Sequence, residues 1–89
     1  MNTQFTVYSK PACGYCEQAK ALLASKGVPF KVIQVDVGQP KVDDETYISR
    51  EDLQVIFPAA RTLPQIHALT GAGEVYIGGF KGLQAYFDD

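Results

Sequence analysis

The two cysteines of this chain, Cys13 and Cys16, stand three positions apart where a short β-branched and aromatic run, Phe5 to Tyr8, gives way to a helical pattern carried by Ala19, Leu22 and Leu23. If the helix opens near Gly14, Cys13 sits at its N-terminus and Cys16 one turn further in. Residues three apart share a helix face, so the two sulfurs can close a small disulfide ring. Cys13 is then the thiol nearest the partly positive helix end, where unsatisfied backbone N–H groups favour a thiolate. That setting suits thiol–disulfide exchange. Other readings of the motif stay open beside it. A structural zinc site needs four ligands, and within one chain only His67 could join the two cysteines. A structural disulfide closing so short a loop gains little entropy, and two free cysteines can pack as inert small hydrophobes. On the motif alone the pair is redox-active, a metal or cluster ligand, or inert.

The rest of the composition narrows the choice. With 89 residues, 46% hydrophobic and 20% charged, the chain has material for one small core, and residues 1–89 are expected to form a single domain. A formal net charge of -2 leaves no basic footprint for nucleic acid or an anionic membrane. The opening Met1-Asn2-Thr3-Gln4 has neither a basic nor an apolar leader region, and no run approaches membrane-spanning length. The expected setting is the cytoplasm. In a reducing cytosol two closely spaced cysteines are more often catalytic than structural, which favours the redox reading.

Taken in order, Phe5 to Tyr8 reads as a strand buried on both faces and therefore central. Ser9 to Ala12 make a loop, and the first helix is expected from Gly14 to Ser25, stopped by Gly27 and Pro29. Phe30 to Val35 is a second strand, parallel to the first across a helical crossover. Gln39-Pro40 and the acidic Asp43-Asp44-Glu45 mark a surface loop reaching Tyr47, the acids solvating a face rather than binding metal. Ser49-Arg50-Glu51-Asp52 has the spacing of a capping box, so a short helix carrying Leu53, Ile56 and Phe57 should follow and stop before Pro58. Gln65 to Leu69 and Glu74 to Ile77 are expected to pair antiparallel around residues 70–73. Phe80, Leu83 and Phe87 fall at helical spacing and close the chain. The order is β-α-β-α-β-β-α.

That order, with Cys-x-x-Cys after the first strand, resembles the thioredoxin fold, and the details resemble a glutaredoxin. The matching features are Lys10 three residues before Cys13, Tyr15 within Cys13-Gly14-Tyr15-Cys16, the run Arg61-Thr62-Leu63-Pro64-Gln65-Ile66, and Ile77-Gly78-Gly79-Phe80. Four such features in the right order around the same strands make accidental agreement improbable. Thioredoxins proper carry a tryptophan beside the motif, and this chain has none. The resemblance implies an α/β domain with a four-stranded mixed sheet and helices on both faces. It implies a glutathione-dependent disulfide oxidoreductase in which Cys13 is the nucleophile and Cys16 the resolving thiol. Pro64 would be a cis-proline facing Cys13, and Leu63 would pair through its backbone with glutathione. Lys10 would meet the glycine carboxylate of glutathione, Tyr15 would line the groove, and Thr62, Gly79, Phe80 and Lys81 complete the glutathione-binding set. Implied partners are glutathione and disulfide-containing proteins, with ribonucleotide reductase a client by family resemblance alone. A monomer is expected.

Three features depart from the family's usual pattern. Gly14 replaces the proline common between the cysteines, and Phe80-Lys81-Gly82 stand where acidic or small polar residues usually hold the γ-glutamyl end of glutathione. The stretch from Gly38 to Tyr47 is longer than in compact cellular members and is similar to the short phage-encoded ones. Gly14 also raises the alternative function, a [2Fe–2S] cluster bridging two copies through Cys13 and glutathione, because members with a small residue there can bind one. His67, three residues after Pro64, reads as a packed side chain rather than a ligand or base.

Overall fold

In the computed structural model, which describes residues 3–88, the central place belongs to β1 (Gln4–Ser9), buried from Phe5 to Ser9. Its Phe-Thr-Val-Tyr run cannot face water on either side, so the chain folds around it. Strand β2 (Phe30–Val35) pairs parallel on one flank, with Val7 opposite Val32, and β4 (Gln65–Thr70) pairs antiparallel on the other, with Val7 opposite Ile66. Outside them lie β3 (Thr46–Ile48), parallel to β2, and β5 (Gly73–Gly78), antiparallel to β4. The mixed sheet therefore runs β3-β2-β1-β4-β5.

This corrects the four-stranded expectation. The sequence marks a surface loop around Gln39-Pro40 and Asp43-Asp44-Glu45, and Thr46-Tyr47-Ile48, which follows it, carries no periodicity of its own. Its strand character comes from its neighbour, with Gln34 opposite Tyr47 and Val35 opposite Ile48. The β-branched and aromatic side chains suit the edge it completes.

Three helices cover the sheet. Helix α1 (Gly14–Lys26) runs one residue beyond its expected end, and Gly27 stops it in the left-handed region at φ 67°, its N–H bonded to the Ala24 carbonyl. Helix α2 (Arg50–Ile56) opens on Ser49, whose hydroxyl accepts the Asp52 N–H at 3.0 Å, half of the reciprocal capping box that the sequence suggests. Helix α3 is Phe80–Phe87. Because strand side chains alternate, Phe5 and Val7 face Ala19 and Leu23 of α1 and Leu83 of α3, while Tyr8 and Val35 face Leu53 of α2 and Phe57. The sheet thus has a packed apolar layer on each face, and the C-terminal end of β1 delivers the chain to the start of α1.

Candidate active site

The loop after β1 ends in Ala12, which holds a left-handed conformation at φ 56°, and this turn sets Cys13 as the N-cap of α1. Cys13 and Cys16 are disulfide-bonded, their Cα atoms 5.2 Å apart. Their environments differ sharply: Cys13 is half-buried at the surface, whereas Cys16 is 0% exposed beneath the helix. An external group can reach only the first sulfur. The Cys16 N–H donates to Cys13 Sγ at 3.2 Å, so one orphan donor of the helix end already points at that sulfur.

The second wall comes from the far half of the sequence. Leu63–Pro64 is a cis peptide, as the resemblance implied, and the Leu63 carbonyl oxygen comes within 3.7 Å of Cys13 Sγ. Gln65, buried at the start of β4, anchors this loop: its Nε2 donates to the Thr62 carbonyl at 2.8 Å, and its Oε1 accepts the Tyr76 hydroxyl at 2.6 Å. Gly79, the N-cap of α3, completes the wall, since a Cβ there would stand 3.5 Å from the Pro64 carbonyl.

A groove of about 270 Å³ opens between these elements, lined by Tyr15, Thr62, Leu63, Pro64, Gly79, Phe80 and Lys81. Seven of the eight residues that the sequence suggested for glutathione thus meet in one depression. Tyr15 and Phe80 stack across its rim, centroids 6.1 Å apart and planes at 28°. The eighth, Lys10, lines an adjoining groove of about 430 Å³ that shares Thr62 and Leu63. Sequence reasoning missed two partners of Lys10 there, Arg50 and Arg61, and among the described residues no carboxylate lines that groove. Arg61 stood in the quoted run beside Thr62, but nothing local places Arg50, at the start of α2, next to it.

The remaining singled-out residues lie elsewhere. His67 is packed edge-on against Tyr8 and Phe57, with its Nδ1 3.7 Å from a Glu74 carboxylate oxygen, in the apolar layer on the α2 side. Asp36, in the loop after β2, accepts the Gly38 N–H and meets Lys41 at 3.0 Å; these contacts hold its carboxyl below the usual carboxylate range. Asp43, Asp44 and Glu45 are exposed and contribute to no metal-ligating cluster among the described residues. No helix among the described residues is long and apolar enough to cross a membrane.

Known proteins resemble this chain in sequence and in fold. The sequence model of the glutaredoxin family matches residues 5–68. A glutaredoxin of Enterobacteria phage T4 is 37% identical over 81 residues, covering 84% of either chain. Glutaredoxin 3 of Escherichia coli is 45% identical over 38 residues, and this match spans 46% of that protein's length. The fold superposes on glutaredoxin 1 from Francisella tularensis, solved with cacodylate, with a TM-score of 0.63 over 97% of this chain and 93% of that one, at 24% identity.

Proposed function

The chain belongs to the glutaredoxin family, and we propose that it is a glutathione-dependent thiol–disulfide oxidoreductase in which Cys13 attacks and Cys16 resolves. The observation that carries this reading is the contrast between the two sulfurs: Cys13 is within reach at the helix end and Cys16 is fully buried one turn below. In the reduced protein the Cys13 thiolate attacks the glutathione sulfur of a mixed disulfide. A Cys13–glutathione disulfide forms, and the released thiolate takes up a proton. A second glutathione thiolate then attacks the bound glutathione sulfur, which regenerates Cys13 and leaves oxidised glutathione. With a protein disulfide the first product is a mixed disulfide at Cys13, which Cys16 displaces.

The charges that line the grooves support glutathione as the ligand. Glutathione carries two carboxylates; Lys10 and Arg61 on one side of Leu63 and Lys81 with the Gly79 N–H region on the other offer a cation to each end. Leu63 lies between, beside Cys13 Sγ, where the cysteine portion must sit for sulfur to meet sulfur. Disulfide-containing proteins are the proposed clients, ribonucleotide reductase among them on family resemblance alone. The proposed setting is the cytoplasm, where glutathione keeps such dithiols cycling.

Replacing Cys16 with Ser tests the assignment. The variant should keep reduction of small glutathione mixed disulfides and lose reduction of protein disulfides by the dithiol route, whereas Cys13→Ser should lose both. Loss of both activities in Cys16→Ser would overturn the assigned roles.

Gly14 favours a second reading, compatible with the first. A Cβ at that position would meet nothing within 4 Å, so the surface at Gly14, next to Cys13, is open. One chain offers Cys13 alone, since Cys16 faces inward, so a [2Fe–2S] cluster would need a second copy and glutathione as further ligands. Anaerobic reconstitution with iron, sulfide and glutathione separates the readings: a coloured dimer supports the cluster, and a colourless, active monomer removes it.

A further inference from the structure

The layer between α1 and the sheet is apolar except at one end. Strand β1 sends Phe5 and Val7 into it, and by alternation Ser9 as well; β2 sends Phe30 and, by the same alternation, Gln34. Ser9 and Gln34 are opposite each other in the parallel pairing. Ser9 is 0% exposed, and its Oγ has no hydrogen-bond partner among the described residues; Gln34 Oε1 is likewise buried and unpartnered among them. Two buried polar atoms without partners, on opposite positions of paired strands, cost stability comparable to the hydrogen bonds forgone.

The helix above supplies what they lack. Helix α1 runs back over β1, its inward residues being Cys16, Ala19 and Leu23 in that order. Ala19 and Leu23 share one buried cluster with Phe5 and Val7, and α1 begins just after β1 ends at Ser9, so the first turn that carries Cys16 falls toward the Ser9 end of the layer. In the disulfide the Cys16 sulfur carries no hydrogen. Reduction adds two electrons and two protons to the pair, and one proton can rest on the Cys16 sulfur. Reduction thereby adds a donor that the disulfide lacks, a Cys16 S–H that can be offered to Ser9 Oγ.

We propose that Ser9 is a positioning residue for the resolving thiol, its hydroxyl unpartnered in the disulfide state and hydrogen-bonded to Cys16 in the dithiol state. The consequence is a redox-dependent hydrogen bond that stabilises the reduced protein. In the resolving step Cys16 gives up its proton and attacks Cys13 Sγ of the mixed disulfide. The Cys13–Cys16 bond forms, the bond to the client sulfur breaks, and the departing thiolate takes a proton, so no further oxidant enters. As negative charge develops on Cys16, rotation of the Ser9 O–H toward the sulfur supplies a donor.

The inference rests on the redox reading of Cys13 and Cys16 but not on glutathione, so dithiothreitol is the redox buffer of choice for its test. Wild type, Ser9→Ala and Ser9→Thr are equilibrated in graded ratios of reduced to oxidised dithiothreitol, and the dithiol fraction is read by alkylation and mass. Urea unfolding is measured for the oxidised and reduced forms of each. Ser9→Ala should shift the equilibrium about 5- to 10-fold toward the disulfide, the effect of one lost hydrogen bond, equivalent to a potential about 20–30 mV more negative. Its oxidised form should unfold at the wild-type urea concentration or above, because an unpartnered hydroxyl has been removed. Ser9→Thr, which keeps the hydroxyl, should keep the wild-type equilibrium. An unchanged equilibrium in Ser9→Ala, or equal destabilisation of both forms, would overturn the proposal and leave Ser9 a packing residue. A wild-type pair that dithiothreitol cannot cycle would overturn the redox reading together with it.

Discussion

The carbonyl oxygen of Leu63 lies 3.7 Å from the sulfur of Cys13, fifty positions away in the chain. On its other side the same sulfur accepts the Cys16 N–H at 3.2 Å. Once the pair is reduced, the two contacts act in opposite directions. The N–H stabilises a thiolate, and the carbonyl accepts only from a thiol. The N–H is the closer and becomes charge-assisted when the sulfur ionises, so the thiolate is favoured.

The first prediction follows from that balance. In the reduced protein the rate of Cys13 alkylation should reach half its maximum at a lower pH than that of a free cysteine, because the helix end and the Cys16 N–H favour the thiolate. Lys10→Ala should move that midpoint upward by less than about 0.7 of a pH unit, since exposed charge pairs interact weakly. Iodoacetamide kinetics against pH, read by mass on Cys13, check both. A midpoint near that of a free cysteine would show that the helix end leaves this sulfur untouched.

Gly82 carries the second. It lies inside α3, where alanine ordinarily does better than glycine by about 1 kcal/mol. Here a Cβ would run into the backbone carbonyl of Ile77, which cannot swing aside as a side-chain tip could. Gly82→Ala should therefore lower stability by about 1–3 kcal/mol, in the range of overpacked sites. Ile77 leads through Gly78 and Gly79 into the groove beside Phe80, so weaker glutathione binding should accompany the loss. Urea unfolding at an unchanged slope is the measurement; a variant as stable as wild type would mean that α3 can slide outward freely. The close approach also gives a structural reason for glycine at this position.

A third concerns alkaline pH. Tyr8 is 4% exposed, and burial, followed by the nearby Glu74 carboxylate, raises its phenol above the ordinary 10.0. The folded protein holds the proton more tightly than the unfolded chain does. The contribution is thus complete below about pH 10 and is lost as pH rises through the folded value. Tyr8→Phe keeps the ring edge-on against Phe57 at 5.3 Å and removes the ionisable group. The urea midpoint of wild type should fall faster than that of Tyr8→Phe above about pH 10, and parallel curves would contradict the assignment.

Much of this protein is legible in its sequence because the controlling interactions are local. The β-branched run of β1, the Gly27 stop, the Ser49 cap and the hairpin around residues 70–73 each depend on a few adjacent residues, and each appears near its expected position. The Cys-x-x-Cys at the head of α1 is local as well, since one helical turn is enough to bring the sulfurs together. Other features exist only because distant segments meet. Strand β3 has too few residues to signal itself and is a strand because β2 lies beside it. Arg50 and Arg61 reach the groove of Lys10 from separate elements. The space at Gly82 is set by the Ile77 carbonyl, and the isolation of the Ser9 hydroxyl by the helix packed over it. The sequence by itself determined the order of elements and the chemistry carried at the start of α1, through propensity, capping and spacing along the chain. Only the tertiary structure decided which sulfur faces solvent, which carbonyl faces that sulfur, and which buried polar atoms go without partners, because each depends on atoms that come together only when the layers pack.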